Sequence, residues 1–345
     1  MTHKVRVPAE WEDYDSVMIA WPHGETDWAD MLEEVTACYV GIANAIVKSG
    51  LRLVVASPQS EPVREALSGI PPEKLIVFET PTNDTWTRDY GPITLETDDG
   101  AHHILDFQFN GWGLKFAANL DNMVNLRMVE ASLLSRRYMP QLGFVFEGGS
   151  MESDGRGTML TTSACLLSLN RNGVVTKDHL REYFKRVMGF TCVHFLDYGH
   201  LEGDDTDSHI DTLARFAPGD TILYVKSYNP ADSHTAGLEK MEAEIMELRT
   251  PEGNPYNLLA LPLPDPIYDE NGERLPATYA NFLITPRTVL LPVYGQPDND
   301  RLASQMLRVA FPDREIIEVD CRALIRQHGS LHCATMQLSK QLMNI

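Results

Sequence analysis

Five amphipathic stretches, each followed by a short apolar run that suits a strand, recur along the 345-residue chain and constrain its fold more than any other feature. Residues 27–49 read as a helix followed by a strand at Leu51–Ala56. Residues 119–137 precede Phe144–Glu147, and residues 177–188, with Thr176 as a helix cap, precede Thr191–Leu196. Residues 234–249 precede Tyr256–Leu263, and 299–310 precede Glu315–Val319. Such a series builds either a doubly wound sheet or a ring of repeated modules. A dinucleotide-binding sheet needs a glycine-rich turn after its first strand, yet residues 54–62 hold no glycine, and no phosphate-binding loop string occurs. The ring is therefore favoured. Further β runs lie between the units at 102–110, 210–227 and 279–294. No Pro- or Ser-rich linker divides the chain, so residues 1–345 are expected to form a single domain.

Composition narrows the function classes. The formal net charge of -20 disfavours nucleic acid and anionic membranes, whose phosphates reward Lys and Arg. It suits a small cationic substrate, although an ordinary acidic protein carries the same charge. No run of about 18 uncharged apolar residues suggests a membrane span. The N-terminal segment lacks the apolar stretch of a secretory signal, so the cytoplasm is the expected compartment. Cysteines at 38, 165, 192, 321 and 333 make neither a disulfide framework nor a zinc-ribbon spacing.

Four polar clusters punctuate these elements: NDTWTRDYGP at 83–92, EGGS at 147–150, EGDDTDSHID at 202–211 and HGSLHC at 328–333. Loops and strand ends at one rim of an α/β architecture are where sites assemble. In the first, Trp86 and Asp89 could seat a flat cation between an aromatic face and a carboxylate; taken alone, a capped turn in which Asp89 bonds nearby backbone amides explains them better. Glu147 beside two glycines could act as a base where backbone approaches a ligand, or could simply end a strand. Asp205, Asp207, His209 and Asp211 alternate, so on a strand they would share one face. They then suggest a metal site, a His acid with a carboxylate partner, or a solvated loop running into a strand at His209. Cys333 could be a thiolate nucleophile or an inert buried thiol. If 330–336 is extended, His332 faces away from Cys333, which leaves His209 as the better partner.

Taken together, the motifs resemble the agmatine deiminase and bacterial peptidylarginine deiminase family of the guanidino-group-modifying superfamily. The segments that carry the resemblance span nearly the whole chain: PAEWEDYDSVMIAWP (8–22), NDTWTRDYGP, NGWG (110–113), EGGSMESDGRGTMLTT (147–162), SHID, YANF (279–282) and LHCATMQ (331–337). The resemblance implies a five-bladed α/β propeller with pseudo-fivefold symmetry. It places Cys333 at the nucleophile and His209 at the proton-transfer histidine. Asp89 and Asp211 fall at the guanidinium-binding carboxylates, Glu147 at an acid that assists binding and proton transfer, and Trp86 at an aromatic wall. It implies no cofactor and no metal, and a homodimer. The implied reaction releases ammonia and leaves a ureido product, N-carbamoylputrescine from agmatine.

Ser208 and Thr212 replace the Gly and Asn that many members carry, and HGSLHC replaces a more glycine-rich run. None of these removes a catalytic side chain, but they leave the guanidine substrate open, with peptidylarginine as the alternative to agmatine. Two other classes compete. One is a metal-dependent ureohydrolase using Asp205, Asp207, His209 and Asp211. The other is a polyamine-binding protein without chemistry, which would need neither Cys333 nor His209.

Overall fold

The computed structural model describes residues 4–344, and its architecture is mixed α/β with five separate small sheets among those residues. The sheets share one pattern. A central strand has one antiparallel neighbour and one parallel neighbour, the latter reached through a helix. Thr158–Thr162 pairs antiparallel with Glu152–Ser153 and parallel with Cys192–Leu196. Thr221–Lys226 sits likewise between Ala214–Ala217 and Asn257–Pro262, and Thr288–Val293 between Leu283–Ile284 and Glu315–Asp320. His102–Gln108 lies between Ile93–Thr97 and Tyr138–Val145. In the fifth sheet the central strand Ser16–Ala20 pairs parallel with Arg52–Ser57, while its antiparallel neighbour comes from the far end of the chain, Met336 opposite Met18 and Leu338 opposite Ser16. That pairing fixes the segment containing Cys333 against the N-terminal strand.

The crossover helices follow from their apolar spacing. Leu32–Lys48 buries Val35, Tyr39, Ile42 and Ile46 along one stripe. Lys177–Met188 buries Leu180, Phe184 and Met188, and the Thr176 side chain accepts from the amide of His179, as its position predicts. Helices at Thr235–Glu247 and Pro297–Ala310 also lie where the periodicity places them. No helix among the described residues is long and apolar enough to cross a membrane.

Three local expectations are corrected. The helix read over 119–137 is confined to a 3-10 turn at Asp121–Met123 and Val124–Glu130; Ser132 then takes a φ of 59° and Leu134 bridges Met343, which ends the helical stripe, and the following strand begins at Tyr138. His209–Asp211 is not a strand. Asp207 and Ser208 have φ of 65° and 67°, and a 3-10 turn follows at Ile210–Thr212, so the alternating acids do not share a face. Nor is 330–336 extended throughout; the chain turns through residues 331–334 and becomes a strand only at Met336.

Candidate active site

The loops that end several sheets converge on one buried polar cluster. Asp89 lies on the helical turn Thr87–Tyr90. That turn is fastened to the Cys333 segment: Thr87 Oγ1 donates to the carbonyl of Ala334 at 3.0 Å, and the Arg88 amide donates to the carbonyl of Cys333 at 3.1 Å. Glu147 follows the strand Tyr138–Val145 and caps the turn Gly148–Ser150. His209 caps the turn that carries Asp211. Asn281 ties the last two groups together. Its side-chain oxygen accepts from the amides of His332 (2.8 Å) and Cys333 (3.2 Å), and its NH₂ donates to the Asp211 carbonyl at 3.3 Å.

The structure brings Cys333, His209, Asp89, Asp211 and Glu147 together, all nearly or fully buried. Cys333 Sγ lies 3.9 Å from Asp211 Oδ2. His209 Nδ1 is 3.5 Å from Asp89 Oδ1, and its Nε2 is 3.7 Å from Glu147 Oε2. The Gly149 amide donates to Asp89 Oδ1 at 3.0 Å, and Trp112 Nε1 donates to Oδ2 at 2.9 Å. Asp211 Oδ1 and both ring nitrogens of His209 are buried with no hydrogen-bond partner among the described residues. Orphaned polar atoms at this depth are rare unless a ligand or water completes them. Above the cluster, Trp86, Asp89, Trp112, Phe116 and Cys333 line a narrow cleft that Asp84 and Asp205 also border. Trp86 forms a wall, backed by Trp28 at 5.7 Å. A Cβ on Gly329 would lie 2.3 Å from its ring, so the glycine in HGSLHC lets this wall close.

The electrostatics divide the cluster. Burial opposes charge on His209, but Asp89, Cys165 and Glu147 outweigh it and hold the ring well above its ordinary pKa. Burial likewise opposes Glu147 and Asp211, yet each stays below the usual carboxylate range, Glu147 through His209 and Arg171 and Asp211 chiefly through His332. Asp89 is shifted up by burial and by Asp211 and Glu147, against the pull of His209. Burial, then Asp211 and Asp89, push the Cys333 thiol well up. A cation placed among these groups would reverse that last effect.

The string at 205–211 does not assemble as a metal set. Asp207 pairs with Arg171 and with Lys115, the latter at 2.8 Å, while Asp211 Oδ2 faces His332 Nδ1 at 2.8 Å. Asp205 borders the cleft instead. The donor atoms that do converge are those of Glu147, Cys165 and His209, all within 4.8 Å of one another. Nothing in the spacing of the five cysteines sets Cys165 apart, yet its Sγ lies 3.9 Å from Glu147 Oε2.

Other residues of the site carry no local signal. Arg171 Nε donates to Glu147 Oε2 at 2.8 Å from a segment, LNRN, that looks like any surface turn. His332 also meets Glu10 Oε2 at 2.6 Å, and Arg215 Nη2 meets the same oxygen at 3.2 Å, so a buried ionic chain runs behind Asp211. Trp112, Asn281 and Glu10 do fall in segments that stand out in the sequence, NGWG, YANF and PAEWEDYDS, but without an assigned task.

Residues 6–339 match the family model of the Porphyromonas-type peptidyl-arginine deiminase. A candidate agmatine deiminase from Vibrio parahaemolyticus is 32% identical over 96% of each chain. Among solved structures, a candidate arginine deiminase from Porphyromonas gingivalis is 46% identical with a TM-score of 0.92, covering 99% of this chain and 100% of its own. A Cys→Ser variant of agmatine deiminase from C. jejuni, solved with substrate bound, is 35% identical with a TM-score of 0.91, covering 99% of this chain and 98% of its own.

Proposed function

The chain belongs to the Porphyromonas-type peptidyl-arginine deiminase family, and from that premise we propose that it hydrolyses the guanidinium group of agmatine, releasing ammonia and N-carbamoylputrescine. The observation that carries this is the placement of Asp211. Its Oδ2 is held by His332, its Oδ1 is buried without a partner among the described residues, and Cys333 Sγ lies 3.9 Å from the carboxylate. A guanidinium bound there would supply the missing donors and present its carbon to the thiol.

Asp89 and Asp211 grip the guanidinium nitrogens, and Trp86 and Trp112 flank the cleft above them. The substrate cation lowers the Cys333 pKa, and the thiolate attacks the guanidinium carbon. His209, charged in the resting enzyme, protonates the departing nitrogen, and ammonia leaves an S-alkylthiouronium. Water then attacks the same carbon, His209 takes its proton, and the C–S bond breaks to release the ureido product. Glu147 holds the second face of His209 and is itself held by Arg171. Neither a metal nor a cofactor enters any step. Cys165 lies behind the Glu147–His209 pair, and the cleft is lined by Cys333 alone of the two thiols.

Five sheets of one pattern support a five-bladed α/β propeller of pseudo-fivefold symmetry around the site, folded as a single domain over 1–345. Assembly as a homodimer in the cytoplasm belongs to the same proposal, and sedimentation tests the dimer. A second substrate reading, peptidylarginine, is favoured by the name of the matching family model. Incubation with agmatine and with an arginine-containing peptide, assayed for ammonia in the presence of iodoacetamide or EDTA, decides among these. Ammonia from agmatine, blocked by iodoacetamide and unaffected by EDTA, is expected. Turnover of the peptide alone would replace the substrate, and EDTA-sensitive release of urea would replace the mechanism.

A further inference from the structure

We propose that Glu147, Cys165 and His209 form a binding site for a thiophilic divalent cation such as Zn²⁺, and that its occupation stops turnover by capturing His209. The site stands on geometry independent of the cleft. His209 Nε2 and Cys165 Sγ lie 3.7 Å and 3.9 Å from the same oxygen, Glu147 Oε2, and all three donor atoms fall within 4.8 Å of one another. Tetrahedral zinc with bonds of 2.0–2.3 Å places its ligands about 3.5 Å apart, so small side-chain shifts would close the set. Among the described residues both nitrogens of His209 are without a hydrogen bond, and the residue is fully buried. Imidazole, thiolate and carboxylate are a donor set that favours zinc over magnesium or calcium.

Three loops hold the donors in place. Cys165 sits on the short helical turn Ser163–Leu166, where the Thr162 side chain accepts from its amide. Arg171 Nε donates to both oxygens of Glu147, at 3.0 Å to Oε1 and 2.8 Å to Oε2, and so fixes the carboxylate, as outer-shell donors fix metal-ligating carboxylates. On binding, Cys165 loses its thiol proton and His209, charged in the resting enzyme, loses the proton on Nε2, both to solvent; the thiolate and the freed nitrogen join the metal, and no electron moves. Nε2 of His209 takes the metal while Nδ1 remains turned toward Asp89. The substrate clamp at Asp89 and Asp211 therefore stays open, and only the proton carrier is removed. The inhibitory half of the proposal rests on His209 being that carrier; the binding half does not.

Cobalt(II) serves as a spectroscopic probe of the full chain, because a cobalt–thiolate bond gives a near-ultraviolet charge-transfer band. Native protein and Cys333→Ser are expected to develop this band with one ion per chain, and Cys165→Ala to lack it. Cys165→Val, which keeps a buried apolar side chain, replaces the Ala variant if that fails to fold. Zn²⁺ is then expected to inhibit ammonia release by the native enzyme, with at least about tenfold more needed for the Cys165 variant. A band that never forms, that survives loss of Cys165, or that requires Cys333 overturns the site. A normal band without inhibition by Zn²⁺ overturns the role given to His209 and leaves the site standing.

Discussion

His332 Nδ1 lies 2.8 Å from Asp211 Oδ2, and its opposite nitrogen lies 2.6 Å from Glu10 Oε2. The residue beside the candidate nucleophile thus contacts Asp211, the carboxylate proposed to grip substrate. His332→Ala would remove a hydrogen-bond partner from two buried carboxylates, and a buried polar group left unsatisfied costs roughly 1–3 kcal/mol. The expected result is a lower urea midpoint together with a raised KM for agmatine. His332→Asn, which keeps one donor, should recover part of the KM. A variant that loses stability but keeps native KM would show that His332 does not position Asp211.

Gly149 sits where three polar groups of the site converge. A Cβ there would lie 2.7 Å from His209 Nδ1, 2.8 Å from Asp89 Oδ1 and 3.1 Å from Asp211 Oδ2. Gly149→Ala should lower kcat/KM by roughly 10²-fold, the scale of a 1 Å misplacement, while the thermal melt stays cooperative. Gly24→Ala, with no atom within 4 Å of its new Cβ, is the silent control. Near-native turnover by Gly149→Ala would mean that the three groups do not converge on substrate as described.

Asp205 and Asp207 are expected to separate. Asp207 pairs with Arg171, which holds Glu147, so Asp207→Asn should lower kcat more than it raises KM. Asp205 borders the cleft, and burial raises its carboxyl pKa to about 6. A raised pKa means that its negative charge is present above about pH 6 and fades below it. Asp205→Asn should therefore raise the agmatine KM at pH 8 and have little effect at pH 5. Equal effects of both variants on kcat at every pH would contradict this division.

The helix–strand units are legible in the sequence because their periodicity is set by burial on one stripe, and four of the five helices lie where the pattern places them. The unit at 119–137 is not, because a left-handed turn at Ser132 and the bridge from Leu134 to Met343, a partner at the far end of the chain, override a helical pattern that local residues alone support. Among site residues, Asp89, Glu147, His209 and Cys333 stand out through motif order. Arg171 and Arg215 do not, since an arginine in a turn or a strand has no mark of the carboxylate it will meet at long range. The orphaned Asp211 Oδ1 is likewise a property of three dimensions. Cys165 illustrates the same limit: its spacing is uninformative, and only folding sets it beside His209.

The pH profile follows from two opposed groups. In the free enzyme the Cys333 thiol is pushed up by burial, then by Asp211 and Asp89, and His209 is held protonated. Bound guanidinium favours the thiolate, so the pKa of Cys333 falls in the complex. The acid limb of kcat/KM reports the free enzyme and that of kcat the complex. The limb for kcat should therefore lie at lower pH than the limb for kcat/KM. Coincident limbs would show that substrate does not activate the thiol.

Two buried thiols flank the catalytic cluster, and they are told apart by their position: Cys333 lines the cleft, and Cys165 lies behind Glu147. The most direct measurement is ammonia release from agmatine by Cys333→Ser, assayed beside the native enzyme and Cys165→Ser. A serine hydroxyl is too weakly acidic to supply a nucleophile near neutral pH, so Cys333→Ser should bind agmatine and release no ammonia, while Cys165→Ser turns over within about tenfold of native. Near-native ammonia release from Cys333→Ser, or its complete loss in a folded Cys165→Ser with Cys333 intact, would contradict the assignment of Cys333 as the nucleophile.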